Sequence, residues 1–147
     1  MINFANPLRS ALLVATITMA GCSMMPTNAN TTKFGATLTG AAEVPPTTST
    51  GTGTLEASLN KDTSVLTWKI SYSGLTGPAT AAHFHGPAMA GANAGVVLPF
   101  ASATSPIEGT ATLTAAQVAD LTAGKWYANV HTAANKGGEI RGQVMVK

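Results

Sequence analysis

From residue 33 onward, apolar and polar side chains alternate with a period of two, and glycine, proline and asparagine punctuate the pattern. A strand points successive side chains to opposite faces, so this alternation predicts half-buried strands joined by turns, as in an all-β sandwich or barrel. Strands are expected over residues 34–39, 53–59, 65–72, 79–85, 96–100, 107–113, 125–132 and 139–146. The third carries Leu66, Trp68, Ile70 and Tyr72 on one face, which predicts that face as core. It pairs with the second as a hairpin across the polar turn at residues 60–64. Pro45 and Pro46 interrupt the pattern after the first strand, because proline gives no hydrogen bond to a ladder. The period fails over residues 114–121, where Thr114 and Gln117 have the spacing of a capping box. They open a short helix that stops near Gly124. The expected fold is a Greek-key-like antiparallel β-sandwich of about eight strands with one short helix.

The first residues follow a different rule. Arg9 precedes an apolar run at residues 11–20, too short to span a bilayer and matched instead to a cleaved leader. Met19-Ala20-Gly21-Cys22 resembles a bacterial lipobox. The resemblance implies cleavage before Cys22, diacylation of its sulfur and acylation of the new amino terminus. Two or more acyl chains anchor stably where one is marginal. Ser23 in place of aspartate implies sorting to the outer membrane. The expected organisation is a lipoprotein signal at residues 1–21, a lipidated polar tether at 22–32 and one β-domain at 33–147. Its expected location is the bacterial cell envelope, facing the periplasm or the cell surface.

Composition narrows the chemistry. Cys22 is the sole cysteine, so a lipid on it leaves none for a disulfide or a thiolate metal site. Eight basic residues face six acidic ones, and one of the eight is Arg9 of the leader. A nearly neutral domain carries no basic stripe for nucleic acid. No Gly-x-Ser-x-Gly elbow and no phosphate-cradling glycine loop occurs, which argues against a hydrolase triad or a nucleotide site.

The three histidines fall in two expected strands. Period two puts His83 and His85 on one face of the fourth, and Tyr127, Asn129 and His131 on one face of the seventh. If those strands are neighbours, the imidazoles converge, and neutral imidazoles are good ligands for copper or zinc. Three ligands leave a position for water, a substrate or a soft methionine, with Met89, Met24 and Met25 as candidates. Asn129 or Glu139 is expected to receive a histidine N–H and fix its tautomer. Arg141 disfavours a divalent ion unless Glu139 neutralises it. The same residues also admit a structural reading, a hydrogen-bonded polar ladder of His, Asn, Glu and Arg. Glu43 reads as a turn-stabilising or solvent-facing carboxylate.

Four ordered motifs extend the picture. Leu38-Thr39-Gly40-Ala41-Ala42-Glu43-Val44-Pro45-Pro46, Ala82-His83-Phe84-His85-Gly86-Pro87-Ala88, Tyr127-Ala128-Asn129-Val130-His131-Thr132 and Gly137-Gly138-Glu139-Ile140-Arg141-Gly142-Gln143 together resemble the CHRD domain, named after chordin. The resemblance implies an all-β extracellular domain. A fainter similarity is to copper/zinc superoxide dismutases, which share a His-x-His strand and a Gly-Gly-x-x-x-x-Gly ending. That family needs more metal-binding histidines, a bridging imidazole and usually a disulfide, so dismutase chemistry is not expected. The expected function is a lipid-anchored, non-catalytic binding module in the envelope, with copper or zinc binding through His83, His85 and His131 as the alternative. No protein partner is identified.

Overall fold

The computed structural model describes residues 30–147, together with Met1. The leader, Cys22, Met24 and Met25 lie outside the described residues. The elements are β1 (Thr31–Thr39), β2 (Thr52–Asn60), β3 (Val65–Ser73), β4 (Ala79–His85), β5 (Val96–Pro99), β6 (Ile107–Thr112), α1 (Ala115–Thr122), β7 (Tyr127–Thr132), β8 (Ile140–Gln143) and β9 (Met145–Val146). A single 3-10 turn at Gly40–Ala42 follows β1. The fold is all-β and antiparallel, with one short α-helix among the described residues.

The strands form one continuous curled sheet in the order β5-β4-β7-β8-β1-β2-β3-β6, with β9 paired to β1. Curling brings the inner faces of β5-β4-β7-β8 and β1-β2-β3-β6 together as two layers. The connections from β3 to β4, from β5 to β6 and from β6 to β7 cross from one layer to the other, which is the Greek-key feature. Between the layers lie Leu38, Leu55, Leu59, Leu66 and Ile70 from one side and Ala82, Phe84, Ala128, Val130 and Ile140 from the other, all buried. Trp68 of β3 reaches across, its ring centroid 5.4 Å from Phe84 and 5.3 Å from Phe100. The burial follows the alternation along β2 and β3, as it does for Leu66, Trp68 and Ile70.

Nine strands replace the expected eight because the last one divides at Val144. Val144 turns fully inward and donates its N–H to the Trp126 carbonyl at 2.9 Å, so pairing with β1 resumes only at Met145. The helix starts as its spacing predicts: Thr114 accepts from the Gln117 N–H, and the Gln117 side chain accepts from the Thr114 N–H at 2.8 Å. It ends at Gly124, whose φ of 69° lets the Gly124 and Lys125 N–H groups close back on the Leu121 and Asp120 carbonyls.

β7 and β8 depart from simple alternation. Every residue of β7 is buried, including Tyr127, Asn129 and His131 on the face turned away from the core. The cover comes from the connection between β4 and β5, from the segment after β1 and from the turn between β7 and β8. Polar side chains at these positions must therefore satisfy one another or the backbone of the covering loops. That requirement builds the site.

Candidate metal centre

The register of β4, β7 and β8 sets the outward-facing residues in rows. His85 lies opposite Tyr127, which lies opposite Gln143; His83 lies opposite Asn129, which lies opposite Arg141. His131 lies opposite Ala81, a small residue that adds no bulk beside the rings. The diagonal brings His83 and His131 to a centroid distance of 4.9 Å, and His83 and His85 to 5.5 Å. One ligand nitrogen from each of the three rings lies within 4.8 Å of the other two.

Two of the three tautomers are fixed by backbone. His85 Nδ1 is 3.0 Å from the Ala94 carbonyl, and His131 Nδ1 is 2.9 Å from the Lys136 carbonyl. Carbonyls only accept, so both Nδ1 atoms are assigned the hydrogen and both Nε2 atoms keep a lone pair. His131 Nε2 then has His83 Nδ1 at 3.1 Å and Asn129 Oδ1 at 2.9 Å. A lone pair facing a carboxamide oxygen is an acceptor facing an acceptor. A half-turn of the amide, or a cation among these atoms, resolves it. His85 Nε2 is buried and makes no hydrogen bond of good geometry, with the Asn129 side chain as its polar neighbour.

Electrostatics favour the neutral form of His83 and His85. Burial lowers the His83 pKa below the ordinary 6.5, and His131 and His85 lower it further. Burial is also the main cause lowering His85, with His131 and Arg141 adding to it against the opposing interactions with the Ala94 carbonyl and the Asn129 side chain. Around a bound ion with bonds of about 2.0–2.1 Å, ligand nitrogens stand about 3.3–3.6 Å apart. The His83–His131 pair at 3.1 Å is close to that spacing, and all three ligand nitrogens lie within 4.8 Å of one another.

Residues 34–144 match the family model of the CHRD domain. The chain belongs to the CHRD-domain family. No curated protein and no solved structure matched it. All four motifs read from the sequence fall inside the matched stretch. Within this CHRD domain they are not four separate features, because β4, β7, β8 and the segment after β1 meet around the histidines.

Arg141 connects them. Its guanidinium carbon stands 3.9 Å from the Tyr127 ring centroid, its Nε is 3.0 Å from Glu43 Oε2, and its NH groups donate to the Ala92 carbonyl at 3.1 Å and Asn93 Oδ1 at 2.5 Å. Tyr127 in turn lies parallel to His85 at 4.8 Å, and its hydroxyl accepts from the Ala94 N–H at 3.1 Å. The loop that fixes the His85 tautomer is thus itself held by Arg141 and Tyr127.

Several expectations need correction. Glu139 neither receives a histidine N–H nor neutralises Arg141. Its fully buried carboxylate accepts instead from Ser49 Oγ, Thr76 N, Thr76 Oγ1, Thr132 Oγ1 and Asn135 Nδ2, at 2.6–3.0 Å. Burial alone raises its pKa, but the hydroxyl and amide donors from Ser49, Thr132 and Thr76 outweigh this and bring it to about 2. The partner of Arg141 is Glu43, which is 3% exposed rather than solvent-facing. Gly138, at φ 130°, makes room for it, since a Cβ there collides with Glu43 Oε1. Met89, considered as a soft ligand, stands out in solvent at 62% exposure. Tyr127, which the alternation sets on the face of Asn129 and His131 without a role, joins the site by stacking on His85.

Proposed function

We propose that this CHRD domain is a non-catalytic binding module, anchored at the bacterial cell envelope through a lipid on Cys22, and that the ligand of its three-histidine cluster is a copper or zinc ion. The observation that carries the metal reading is the buried, unpartnered Nε2 of His85. A polar ladder accounts for His83, His131 and Asn129, which contact one another, but it leaves that nitrogen unsatisfied. An unsatisfied buried acceptor costs about 1–3 kcal/mol. An ion shared with His83 and His131 removes the penalty with a bond. Binding is favoured over catalysis because the two nearest carboxylates are already committed, Glu43 to Arg141 and Glu139 to its five donors. Neither is free to act as a general base.

Calorimetry with Cu(I), Cu(II) and Zn(II) tests the reading. The wild type is expected to bind at least one of them at micromolar or tighter affinity, and His85→Ala or His131→Ala to weaken it by about a hundredfold. Asn129→Ala is expected to weaken it by about 10–100-fold, through loss of ring orientation. Binding no tighter than about millimolar, or indifferent to all three substitutions, returns the cluster to a polar ladder.

The anchor rests on the lipobox-like residues 19–22 and on Cys22 as the sole cysteine. Expressed with its leader in a Gram-negative host, the chain is expected to incorporate labelled palmitate and to sediment with membranes. Cys22→Ala is expected to abolish the label. An unlabelled wild type recovered in the soluble fraction removes the lipid from the proposal.

A further inference from the structure

We propose that the three-histidine site selects monovalent copper, Cu(I), over the divalent ions Cu(II) and Zn(II). The inference rests on the metal-binding reading above and concerns the charge of the ion the site accepts.

The ligand atoms are three imidazole nitrogens, with no carboxylate or thiolate among them. His85 and His131 are each only 9% exposed, so an ion between them loses much of its water. The cost of taking an ion out of water rises with the square of its charge, and divalent ions commonly recover it through anionic ligands. Here the two nearby carboxylates are spoken for. Glu43 is ion-paired to Arg141 at 3.0 Å, and Glu139 is saturated by hydroxyl and amide donors.

A fixed cation stands close by. β4 and β8 flank β7, so His85 and Arg141 approach the Tyr127 ring from its two sides, at 4.8 Å between ring centroids and 3.9 Å from the guanidinium. At that range the positive field of the guanidinium reaches an ion held by His85. A field that penalises one positive charge at that nitrogen penalises two about twice as much. Coordination number points the same way. Three imidazoles alone complete a trigonal Cu(I), whereas Zn(II) needs a fourth ligand such as water brought into a largely buried site. Met89, the nearest candidate by sequence, faces solvent.

The experiment compares the three ions on the full chain in one buffer. Cu(I) is measured anaerobically by competition with a colorimetric Cu(I) chelator, and Cu(II) and Zn(II) by calorimetry. Cu(I) is expected to bind at least about tenfold more tightly than either divalent ion. Glu43→Gln removes the charge that offsets Arg141 and sharpens the test. Its loss of divalent affinity is expected to be about the square of its loss of Cu(I) affinity, for example about tenfold against about threefold. Zn(II) or Cu(II) binding as tightly as Cu(I) overturns the inference while leaving the metal reading standing. A loss under Glu43→Gln that is equal for all three ions overturns it too. Failure of every ion to bind removes both. If Glu43→Gln does not fold, the wild-type affinity ratio decides alone.

Discussion

Replacing Glu139 by alanine is expected to cost the domain about 4 kcal/mol or more of unfolding free energy, the largest loss of any single polar truncation here. The carboxylate gathers five donors from the segment after β1, the turn before β4, the end of β7 and the turn leading to β8. Without it, the Thr76 N–H and three hydroxyls lose a charged acceptor in a place where Glu139 itself is 0% exposed. Ordinary domains hold about 5–15 kcal/mol, so the variant is expected to be largely unfolded in mild denaturant. Glu139→Gln keeps the shape and one acceptor but not the charge, and it isolates the electrostatic part. The pH dependence has a defined sign. The folded-state pKa of about 2 lies below the 4.5 of the unfolded chain, so the stabilisation is complete above pH 4.5 and disappears as pH falls through about 2. At about 1.4 kcal/mol per pH unit, the charge contributes up to about 3 kcal/mol. Urea unfolding of wild type and Glu139→Gln is therefore expected to show a gap of that order at pH 7 that closes toward pH 2. A gap that is absent at pH 7, or constant with pH, removes the charged acceptor from the account.

Glu139 also shows where the sequence stopped being readable. Period two correctly placed His83 with His85, and Tyr127 with Asn129 and His131, because that rule acts within a strand. Which strands are neighbours is not a local property. β5, β6 and α1 intervene in the chain between β4 and β7, and only the Greek-key crossing sets them side by side. Glu139 was read as an extension of the strand carrying Arg141, but β8 begins at Ile140, and the turn at Gly138 delivers the carboxylate to loops distant in sequence. Arg141 gave a usable signal. Period two turns it to the face opposite Ile140 and Gly142, where His83 and Asn129 also lie, and a guanidinium buried there by covering loops requires a carboxylate. Sequence could not say which of six acidic residues answers it, because Glu43 sits in an irregular proline-bounded segment without a pattern.

Arg141→Met is expected to destabilise the domain by about 3–5 kcal/mol, since it leaves the Glu43 carboxylate buried without its cation. Glu43 is 3% exposed and one of its oxygens already lacks a partner, so little water is available to replace the guanidinium. Glu43→Gln is expected to cost a similar amount from the other side of the pair. The double variant, Glu43→Gln with Arg141→Met, removes both charges and is expected to recover most of the loss, because neutral replacements of a buried pair are often close to isoenergetic. Metal affinity is expected to behave differently. Arg141 also donates to the Ala92 carbonyl and Asn93 Oδ1, and it packs on the Tyr127 ring that lies against His85. The double variant lacks those contacts, so the loop that supplies the Ala94 carbonyl to His85 loses its anchor even where the fold is restored. Stability and affinity should therefore separate: unfolding free energy returns toward wild type while ion binding stays about tenfold weaker. A double variant whose destabilisation equals the sum of the singles rejects the paired-charge account. One that recovers full affinity with stability shows that Arg141 does not position His85.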